Sequence, residues 1–329
     1  MKRLLLAGIL AMLGTPLAIT QSVQPPQGGA PSIETGTVPL TYTGGDSRVS
    51  VGVDQDGNSQ GELMQVFGNN GEHAVVAQLW WGNGGAGGIQ GDYNWLFGTT
   101  LEQARQDPDS ITVAKLSFAI DQNAAKDRQA NIGLSIERKE FFLNFFLSGK
   151  ASGARNAGAV SLQQEQVVSG TDDAGIYTQT KTDIATTQLL AQPYSTIVGI
   201  HGGHFSDALA ARFNGGIDYA KGDQGANQKR VSIGVDKYLG VRGWSLSGIV
   251  EHAQNTPVVG SDTSDTRWWL FLRYEFGGGG AFRPFDDSAA ANAAWIDRAL
   301  HEPVTGHARN VDTYVKNGKT TTTTTLGPK

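Results

Sequence analysis

The stretch 267-Arg-Trp-Trp-Leu-Phe-Leu-Arg-Tyr-Glu-Phe-276 decides the fold class of this chain. Apolar or aromatic side chains occupy every second position, at Trp268, Leu270, Leu272, Tyr274 and Phe276. The charged side chains fall between them, at Arg267, Arg273 and Glu275. Successive side chains of a β-strand point to opposite faces. The stretch therefore predicts a strand with one apolar face and one polar face.

The same alternation recurs from residue 48 to residue 276. Val49, Val51 and Val53 begin it, and the run from Ala130 to Ile136 repeats it with Asn131 and Ser135 on the polar face. In two segments, 60–67 and 193–205, the pattern does not show which side chains lie on the apolar face and which on the polar face. With 150–192 counted as one long external or lumen loop, the pattern predicts about twelve strands.

The connections between these segments alternate between short and long, with one exception at about 98–109. An up-and-down barrel in a bacterial outer membrane has short turns at one end and longer loops at the other, and an even number of strands. A soluble extracellular β-sandwich also alternates on its inner faces. However, the segments are roughly nine to twelve residues long, against five or six for a usual strand. We therefore expect an all-β, transmembrane, up-and-down antiparallel β-barrel of about twelve strands over 47–276.

The composition narrows the possible functions. Charged residues make up 17% of the 329 residues and the formal net charge is −5, which gives no reason to expect a nucleic-acid partner. The chain has no cysteine, which excludes a disulfide scaffold, thiolate metal sites and a cysteine nucleophile. Beyond the first 20 residues, no apolar run is long enough for a membrane-spanning helix.

The N-terminus has the features of a secretory signal peptide. Lys2 and Arg3 are followed by an apolar stretch from Leu4 to Leu13, and small residues precede a cleavage point after Thr20. The alternative is a short membrane anchor, for which the apolar stretch is too short. We expect residues 1–20 to be removed on export and 21–46 to form a flexible lead-in.

The segment ending at Phe276 resembles the closing strand of Gram-negative outer-membrane β-barrels of the porin-like kind. Those strands end in an aromatic residue preceded by alternating apolar positions, here Leu270, Leu272 and Tyr274. The resemblance covers about 47–276. It implies insertion into the outer membrane, with membrane lipid and the outer-membrane assembly machinery as partners. This chain departs from many such barrels because it continues beyond the aromatic residue.

The tail 277–329 contains a glycine hinge at 277–280, a predicted helix over 289–301, a possible strand over 311–315 and a threonine run over 320–325. The order of signal, barrel and tail resembles inverse autotransporter translocator domains. In these the segment after the barrel threads the pore and carries an adhesive domain outward. We expect this chain to depart from them in having no adhesive domain after the tail. The alternative is a periplasmic tail that contacts assembly factors, peptidoglycan or another periplasmic or secreted partner.

The polar faces of the strands predict the residues that line the lumen. These pore-lining residues carry both signs of charge and are Lys115, Glu137, Arg212, Asp218, Asp236, Glu251, Arg267, Arg273 and Glu275. Aromatic residues near the strand ends of the apolar faces are predicted to lie at the lipid interface. They are Tyr93, Trp95, Trp244, Trp268, Tyr274 and Phe276.

The candidate motifs for catalysis or cofactor binding do not have the spacing or the structural context that these functions need. Gly82-x-Gly84-x-x-Gly87 follows a strand but opens no helix, so it predicts a hairpin loop rather than a dinucleotide site. His201 and His204 would face opposite sides of a strand, as would His252 and the pair Ser245 and Ser247, so neither a zinc site nor a serine–histidine pair is expected. We predict no enzymatic activity, no metal and no cofactor.

These observations favour a pore for small polar solutes or an exported polymer. A secretion or surface-anchor barrel, with the tail in the lumen or bound to a partner, is the alternative. A secreted soluble β-sandwich that binds carbohydrate is the second alternative.

Overall fold

The computed structural model describes residues 40–107, 111–206, 208–239, 241–277, 281–284, 288–306, 309 and 311–328. The predicted signal peptide and most of the lead-in lie outside these residues. Most of the predicted glycine hinge also lies outside them.

Twelve antiparallel strands close into a barrel, as the alternation predicted. The first strand pairs with the last, with Val51 opposite Leu272, so the sheet has no free edge. A two-sheet sandwich is therefore the wrong architecture. The barrel strands are β2 (Ser47–Asp54), β3 (Ser59–Asn69), β4 (His73–Gly82), β5 (Gly87–Leu96), β6 (Val113–Gln122), β7 (Arg128–Glu137), β8 (Phe141–Lys150), β11 (Thr196–Ser206), β12 (Ala211–Lys221), β13 (Asn227–Tyr238), β14 (Trp244–Thr256) and β15 (Thr263–Phe276).

The barrel is polar inside and apolar outside. Along β7, buried and exposed residues alternate without a break, with Asn131 and Ser135 inside and Leu134 outside. The side chain of Leu134 is 56% exposed, and the same outward exposure of large apolar side chains occurs on every barrel strand. Such a surface suits lipid, because a soluble domain would bury these side chains.

The two segments with unassigned faces are barrel strands as well. In β3, Glu62 points inward, but so does the apolar Met64. In β11, His201 points inward together with Ile197 and Phe205, whereas His204 is exposed. Inward-facing apolar residues thus obscured the alternation in both segments.

The barrel has two distinct rims. The terminal rim is where β2 begins and β15 ends. It also carries helix α1 (Leu101–Gln106) in the connection 98–109 that broke the loop alternation. Thr100 begins this helix: its hydroxyl accepts from the Gln103 amide, and the Gln103 side chain accepts from the Thr100 amide. This capping box stabilises a short helix that propensity alone would not. The opposite rim, between β8 and β11, is the hairpin rim.

The segment 150–192 was predicted as a long loop, which is wrong. It forms a hairpin of two long strands, β9 (Arg155–Asp172) and β10 (Gly175–Pro193), paired from Gly175 opposite Asp172 to Ala191 opposite Arg155. All but one of the β9 residues are exposed, so the hairpin neither enters nor constricts the lumen. A third strand, β17 (Thr313–Leu326), pairs with β10 along its other edge.

The lead-in ends in ordered structure, which corrects the prediction for its last residues. Strand β1 (Leu40–Thr43) pairs with β16 (Ala281–Pro284), just after the barrel closes. Between them, the Gly45 amide donates to the Glu275 carboxylate (3.1 Å) and the Asp46 amide to the Phe276 carbonyl (3.0 Å). The chain before the barrel and the chain after it are therefore joined at the terminal rim.

Helix α2 (Ser288–His301) confirms the helix predicted in the tail. Its buried face packs against α1 and the ends of β4, β5 and β6 at the terminal rim. The shared core contains Trp295, Ile296, Ala299 and Leu300 from α2 with Ala74, Leu96, Ala104, Ile111 and Val113. Among the described residues, no helix is both long enough and apolar enough to cross a bilayer.

The outward face of β15 provides a test of the membrane-spanning band. Leu270 lies outward, opposite Gly248 and Val53, between the aromatic residues Trp268 and Tyr274. Leu270→Lys is expected to lower the free energy of unfolding in lipid vesicles by about 2–4 kcal/mol, because it places a charge near the bilayer midplane. The measurement is urea unfolding monitored by tryptophan fluorescence.

Thr266→Lys is the matched control on the same face of the same strand, near its end. Its effect should stay below about 1 kcal/mol, since the penalty falls towards the interface. Equal effects of the two substitutions would contradict the depth assigned to Leu270.

Candidate functional site: the lumen and the segment inside it

The lumen of the barrel contains part of the chain's own tail. After α2, the described residues 302–306, 309 and 311–312, here called the lumen segment, lie between the terminal rim and the hairpin rim. Of the two placements left open for the tail, the structure shows the one inside the barrel.

Side-chain amides of the barrel hold the backbone of this segment. Asn94 donates to the Glu302 carbonyl (3.1 Å) and Gln90 donates to the Val304 carbonyl (2.8 Å), both from β5. Asn144 on β8 donates to the Thr305 carbonyl (2.7 Å). At the hairpin rim, Asn123 donates to the Val311 carbonyl (3.0 Å). An extended segment without a strand partner needs such donors, because buried carbonyl groups must be paired.

The first charge cluster surrounds Glu302. Its carboxylate lies 3.3 Å from a guanidinium nitrogen of Arg48 and 3.3 Å from one of Arg212. Lys115 donates to the Glu302 carbonyl (2.8 Å) and to the Glu137 carboxylate (2.7 Å). All of these side chains are buried, so each charge depends on its partners for compensation.

Three further ion pairs, made by two residues of the segment, hold it nearer the hairpin rim. Arg309 pairs with Glu62 on β3. Asp312 contacts Arg267 on β15 (2.7 Å) and Arg230 on β13 (3.8 Å). The lumen segment is thus bound through charges of both signs at three successive heights of the barrel.

One residue of the lumen segment passes too close to the barrel wall for a side chain. Gly306 has a φ of +107°, and a Cβ atom there would come within 2.6 Å of Cγ of His201. His201 is itself fixed by a hydrogen bond to Asp218 (2.8 Å). Glycine is therefore required here both by the backbone conformation and by the space available.

At the hairpin rim the segment continues into β17. The Asp223 amide donates to the Tyr314 hydroxyl (2.6 Å), and the Tyr314 ring lies 5.1 Å from that of Tyr194. Lys316 donates to the Asp223 carboxylate (2.8 Å). Beyond this point β17 continues along β10 to Leu326, which lies opposite Lys181.

The structure places all nine predicted pore-lining residues on the inward face. Arg212 and Arg267 contact the lumen segment directly. Glu137 pairs with Arg298 of α2 (3.2 Å) and with Lys115, which reaches the segment at the Glu302 carbonyl. The others pair within or near the barrel: Asp218 with Arg230 (2.9 Å), Asp236 with Arg273 (2.7 Å) and Glu275 with the Gly45 amide (3.1 Å). Glu251 lines the remaining cavity.

The six predicted interface aromatics lie on the outward face, in clusters near the terminal rim and singly elsewhere. Tyr93 stacks on Trp95 (ring centroids 5.6 Å apart). Trp244, Tyr274 and Phe276 form a second cluster, with centroid distances of 4.9 and 4.5 Å. Trp268 lies opposite Val250 on the same outward face.

Several lumen residues were missed by reasoning from the sequence. Arg48, Gln90 and Asn94 lie on polar faces that the alternation identified, so their inward position could have been predicted. Glu62 was missed because it lies in the segment 60–67, whose faces the sequence did not show. Arg230 was missed because it lies just before the point where the alternation of its strand was recognised. No sequence signal marked Glu302, Arg309 or Asp312 as their partners.

Beside the lumen segment a cavity of about 140 Å³ remains. It lies mainly against β11–β15, and charged residues such as Arg48, Arg212 and Glu251 line it. Since one liquid water occupies about 30 Å³, the cavity has room for a few waters.

Residues considered for catalysis do not converge. Ser245 and Ser247 are buried on the inward face of β14, whereas His252 is exposed on the outward face, where it contacts Thr266 (2.9 Å). In the part of the chain that the structure describes, no three metal-ligating side chains form a cluster. The segment Gly82 to Gly87 is a hairpin connection with a short 3₁₀ turn.

No family model and no curated protein matches this chain. Solved structures do match. One was reported under "Unveiling the Mechanism Behind the in-meso Crystallization of Membrane Proteins" and has a TM-score of 0.53 at 12% identity, over 82% of this chain and 99% of that one. The KdgM porin in complex with disordered oligogalacturonate has a TM-score of 0.34 at 7% identity, over 70% and 98% of the two chains. The Acinetobacter baumannii outer membrane protein Omp33 has a TM-score of 0.33 at 9% identity. The match covers 72% of this chain and 100% of Omp33. The first likeness concerns the fold alone, and the other two are too weak to support an argument about this chain.

The Glu302 cluster provides a test of how the lumen segment is held. Glu302→Gln leaves Arg48 and Arg212 buried without their shared carboxylate, and such a loss typically costs about 3–5 kcal/mol. We expect hydrogen exchange at the amides of 302–306 to become at least about a hundredfold faster, since exchange reports local opening. The measurement is hydrogen exchange of the protein in detergent, monitored by mass spectrometry.

Glu140→Gln, in an exposed turn at the same rim, is the control and should leave exchange unchanged. Unaltered protection in Glu302→Gln would show that the backbone hydrogen bonds alone hold the segment.

The Asp223 carboxylate gives a pH dependence at the hairpin rim, outside the spanning strands. Hydrogen bonds from Lys316, Gln192 and Ser195 hold the pKa of Asp223 well below its usual range. A lowered folded-state pKa stabilises the folded form above the unfolded pKa of about 3.9 and ceases to do so as the pH falls through the folded value. The anchoring of β17 should therefore be constant from pH 8 to pH 5 and weaken below about pH 4.

Hydrogen exchange at residues 314–316, corrected for the intrinsic rate at each pH, measures this. Asp223→Asn should weaken protection at pH 7 by less than about tenfold, because the site is partly exposed. It should also remove the acid dependence. A dependence that persists in Asp223→Asn would assign it to another group.

Proposed function

We propose that this chain is an outer-membrane surface-anchor barrel of the secretion type, which holds its own C-terminal segment in the lumen and displays the following strand outside the cell. One observation carries the proposal: the described residues of the tail contact the barrel from α2 at the terminal rim, through Glu302 and Asp312, to β17 at the hairpin rim. The hairpin rim is the external one in this proposal, because both ends of an even-stranded barrel lie in the periplasm.

The way the lumen is filled supports an anchor over an open channel. The barrel places three buried arginines, Arg48, Arg212 and Arg230, and the partly exposed Arg267 against acidic groups of the lumen segment. Helix α2 packs its apolar face over the terminal rim. Both occupy the interior and one mouth of the barrel with the protein's own chain, which favours an anchor that holds a polymer over a channel that passes solutes.

A pore for small polar solutes is the second candidate, and the mixed-charge lumen favours it. If the tail were absent or released, the inward Arg, Lys, Asp and Glu side chains would line an aqueous passage with charges on both sides. In our proposal, the tail normally closes this passage.

The proposed partners follow from the same arrangement. The outward apolar band contacts outer-membrane lipid, and the strand ending at Phe276 is the element that we propose the assembly machinery recognises. Helix α2 finds its apolar contacts within the chain. A partner for the tail is therefore proposed at the exposed β17 and its sheet rather than in the periplasm.

Single-channel conductance in a planar bilayer tests the proposal. The mature full-length protein should be closed, and a variant ending at Phe276 should conduct steadily because the plug is gone. Heat-modifiable gel mobility of both forms must first show that each is a folded barrel. Steady conductance of the full-length protein would favour the solute pore instead.

Thiol labelling of intact cells tests the direction of the segment. The chain has no cysteine, so Thr323→Cys introduces a single one on β17 and Thr305→Cys one in the lumen. A membrane-impermeant maleimide should label Thr323→Cys in intact cells, whereas Thr305→Cys should react only after denaturation. Labelling of Thr323→Cys only after the outer membrane is opened would place β17 in the periplasm and refute the proposed orientation.

A further inference from the structure

Strands β17, β10 and β9 form a three-stranded sheet in that order, here called the outer sheet. Its last contacts with the barrel are near the hairpin rim, where Arg155 pairs with Asp127 (3.1 Å) and Asn317 binds Gln224. From there the hairpin continues to the turn at 172–175, roughly 45 Å farther at the rise of a strand. Strand β9 pairs with β10 on one side only, so among the described strands its other edge is open.

This open edge has few of the features that normally protect an edge strand: its pairing with β10 is irregular at one place only, Ala157, near the barrel. Natural edges are shortened, bent or studded with lysine and proline, because unpaired backbone groups recruit other strands. Strand β9 has 18 residues, no proline and no lysine, and its charged residues are Arg155, Glu165 and Asp172. Apolar side chains lie exposed along it, with Leu162 at 72% and Val167 at 73%. By contrast, β17 at the other edge of the sheet carries Lys316 and Lys319.

We propose that β9 is a homophilic recognition edge: the β9 strands of two copies of this chain pair antiparallel about a twofold axis at Gln164. The product is a continuous six-stranded sheet in which both open β9 edges are closed. The outer sheet thereby becomes a self-recognition element on a barrel anchor.

The β9 sequence is self-complementary in this register. Around an axis at Gln164, Val160 of each copy lies opposite Val168 of the other, so apolar pairs form on both sides of the axis. Arg155 of each copy comes near Asp172 and the turn residue Asp173 of the other, which places opposite charges together at both ends. Glu165 comes opposite Gln163, so no like charges meet. Cross-strand pairs of these kinds stabilise a sheet.

Parallel, in-register pairing is disfavoured by the same residues. It would set Arg155 against Arg155, Glu165 against Glu165 and Asp172 against Asp172. Like charges directly opposite each other destabilise a strand pair. Pairing at an open edge therefore has a preferred direction, which the charge pattern of β9 dictates.

Antiparallel pairing has a consequence for where the two barrels lie. The twofold axis is perpendicular to the sheet, so the barrels occupy opposite ends of the joint sheet. Two outer membranes that face each other provide this geometry, and one membrane does not. This cellular consequence rests on the proposed function, since it needs the hairpin rim outside. The pairing itself does not, because it can be measured in detergent.

Cysteine cross-linking of the full-length protein in detergent tests the register. The chain has no cysteine, so single substitutions report only the designed site. Residues directly opposite each other in an antiparallel pair have Cα atoms about 4.5–5.5 Å apart, which suits a disulfide. Gln164→Cys should form a covalent dimer on mild oxidation, because this residue lies opposite itself. Ala159→Cys alone should not, but should cross-link when mixed with Ser169→Cys.

Ile176→Cys, which is 86% exposed on β10 near the tip, controls for chance collisions and should stay monomeric. Self-cross-linking of Ala159→Cys as well as Gln164→Cys would establish parallel pairing and overturn the proposed register. Cross-linking at Ile176→Cys to the same extent would show collision only. Absence of any dimer at high protein concentration would overturn the proposal, whatever the labelling and conductance experiments show of the tail.

Charges introduced at Val160 and Val168, which face each other in the proposed register, give an independent test. Val160→Lys combined with Val168→Lys puts lysine opposite lysine twice and should weaken dimerisation by at least about tenfold. Val160→Glu combined with Val168→Lys introduces as many charges but makes two opposite-charge pairs, so dimerisation should be retained. The measurement is analytical ultracentrifugation in detergent. Equal weakening by both double variants would mean that these positions do not face each other.

Discussion

The buried charges inside this twelve-stranded barrel must be compensated, and the rest of the structure depends on this constraint. Eight strands leave an interior just wide enough for side chains to fill, and the diameter grows with the strand number. Here the barrel walls alone would leave buried arginines facing a gap. The lumen segment supplies both the volume and the carboxylates of Glu302 and Asp312. The interior is therefore shared between the barrel and the tail, and neither is electrostatically complete without the other.

The ends of the chain are organised around the same requirement. Strands β1 and β16 join the chain before the barrel to the chain after it, which keeps the start of α2 close to the terminal rim. Helix α2 then covers that rim with an apolar face, and Gly306 lets the segment pass close to His201. At the hairpin rim, Tyr314 and Lys316 bind Asp223 before β17 leaves the barrel. Each of these contacts fixes the path of a segment that has no hydrogen-bonded strand partner within the lumen.

The barrel was predictable because lipid outside and polar groups inside impose a period of two on its strands. The sequence therefore predicts that Leu134 faces outward and that Asn131 faces inward. The prediction weakened where the inward face is itself apolar, as at Met64 and Phe205. It failed for the hairpin at 150–192, because a sheet exposed on both faces has no alternation to detect, and the run Gln163-Gln164-Glu165-Gln166 looks like a polar loop. The lumen contacts of Glu302 and Arg309 were not predictable, since pairing between distant segments leaves no local pattern.

The barrel and the outer sheet treat strand edges in opposite ways. Closure of β2 on β15 removes every edge from the membrane-spanning sheet, where an unpaired backbone group would be costly in lipid. Outside the membrane water can satisfy such groups, so β9 can remain open without a comparable penalty. An open edge in water is still a template for another strand. Because β10 is paired on both sides by β9 and β17, the edge is presented on a sheet anchored at the rim through Asp223. A binding edge on a supported sheet loses less conformational entropy on pairing than a free segment would, so the anchoring of the tail and the availability of β9 are linked properties of one assembly.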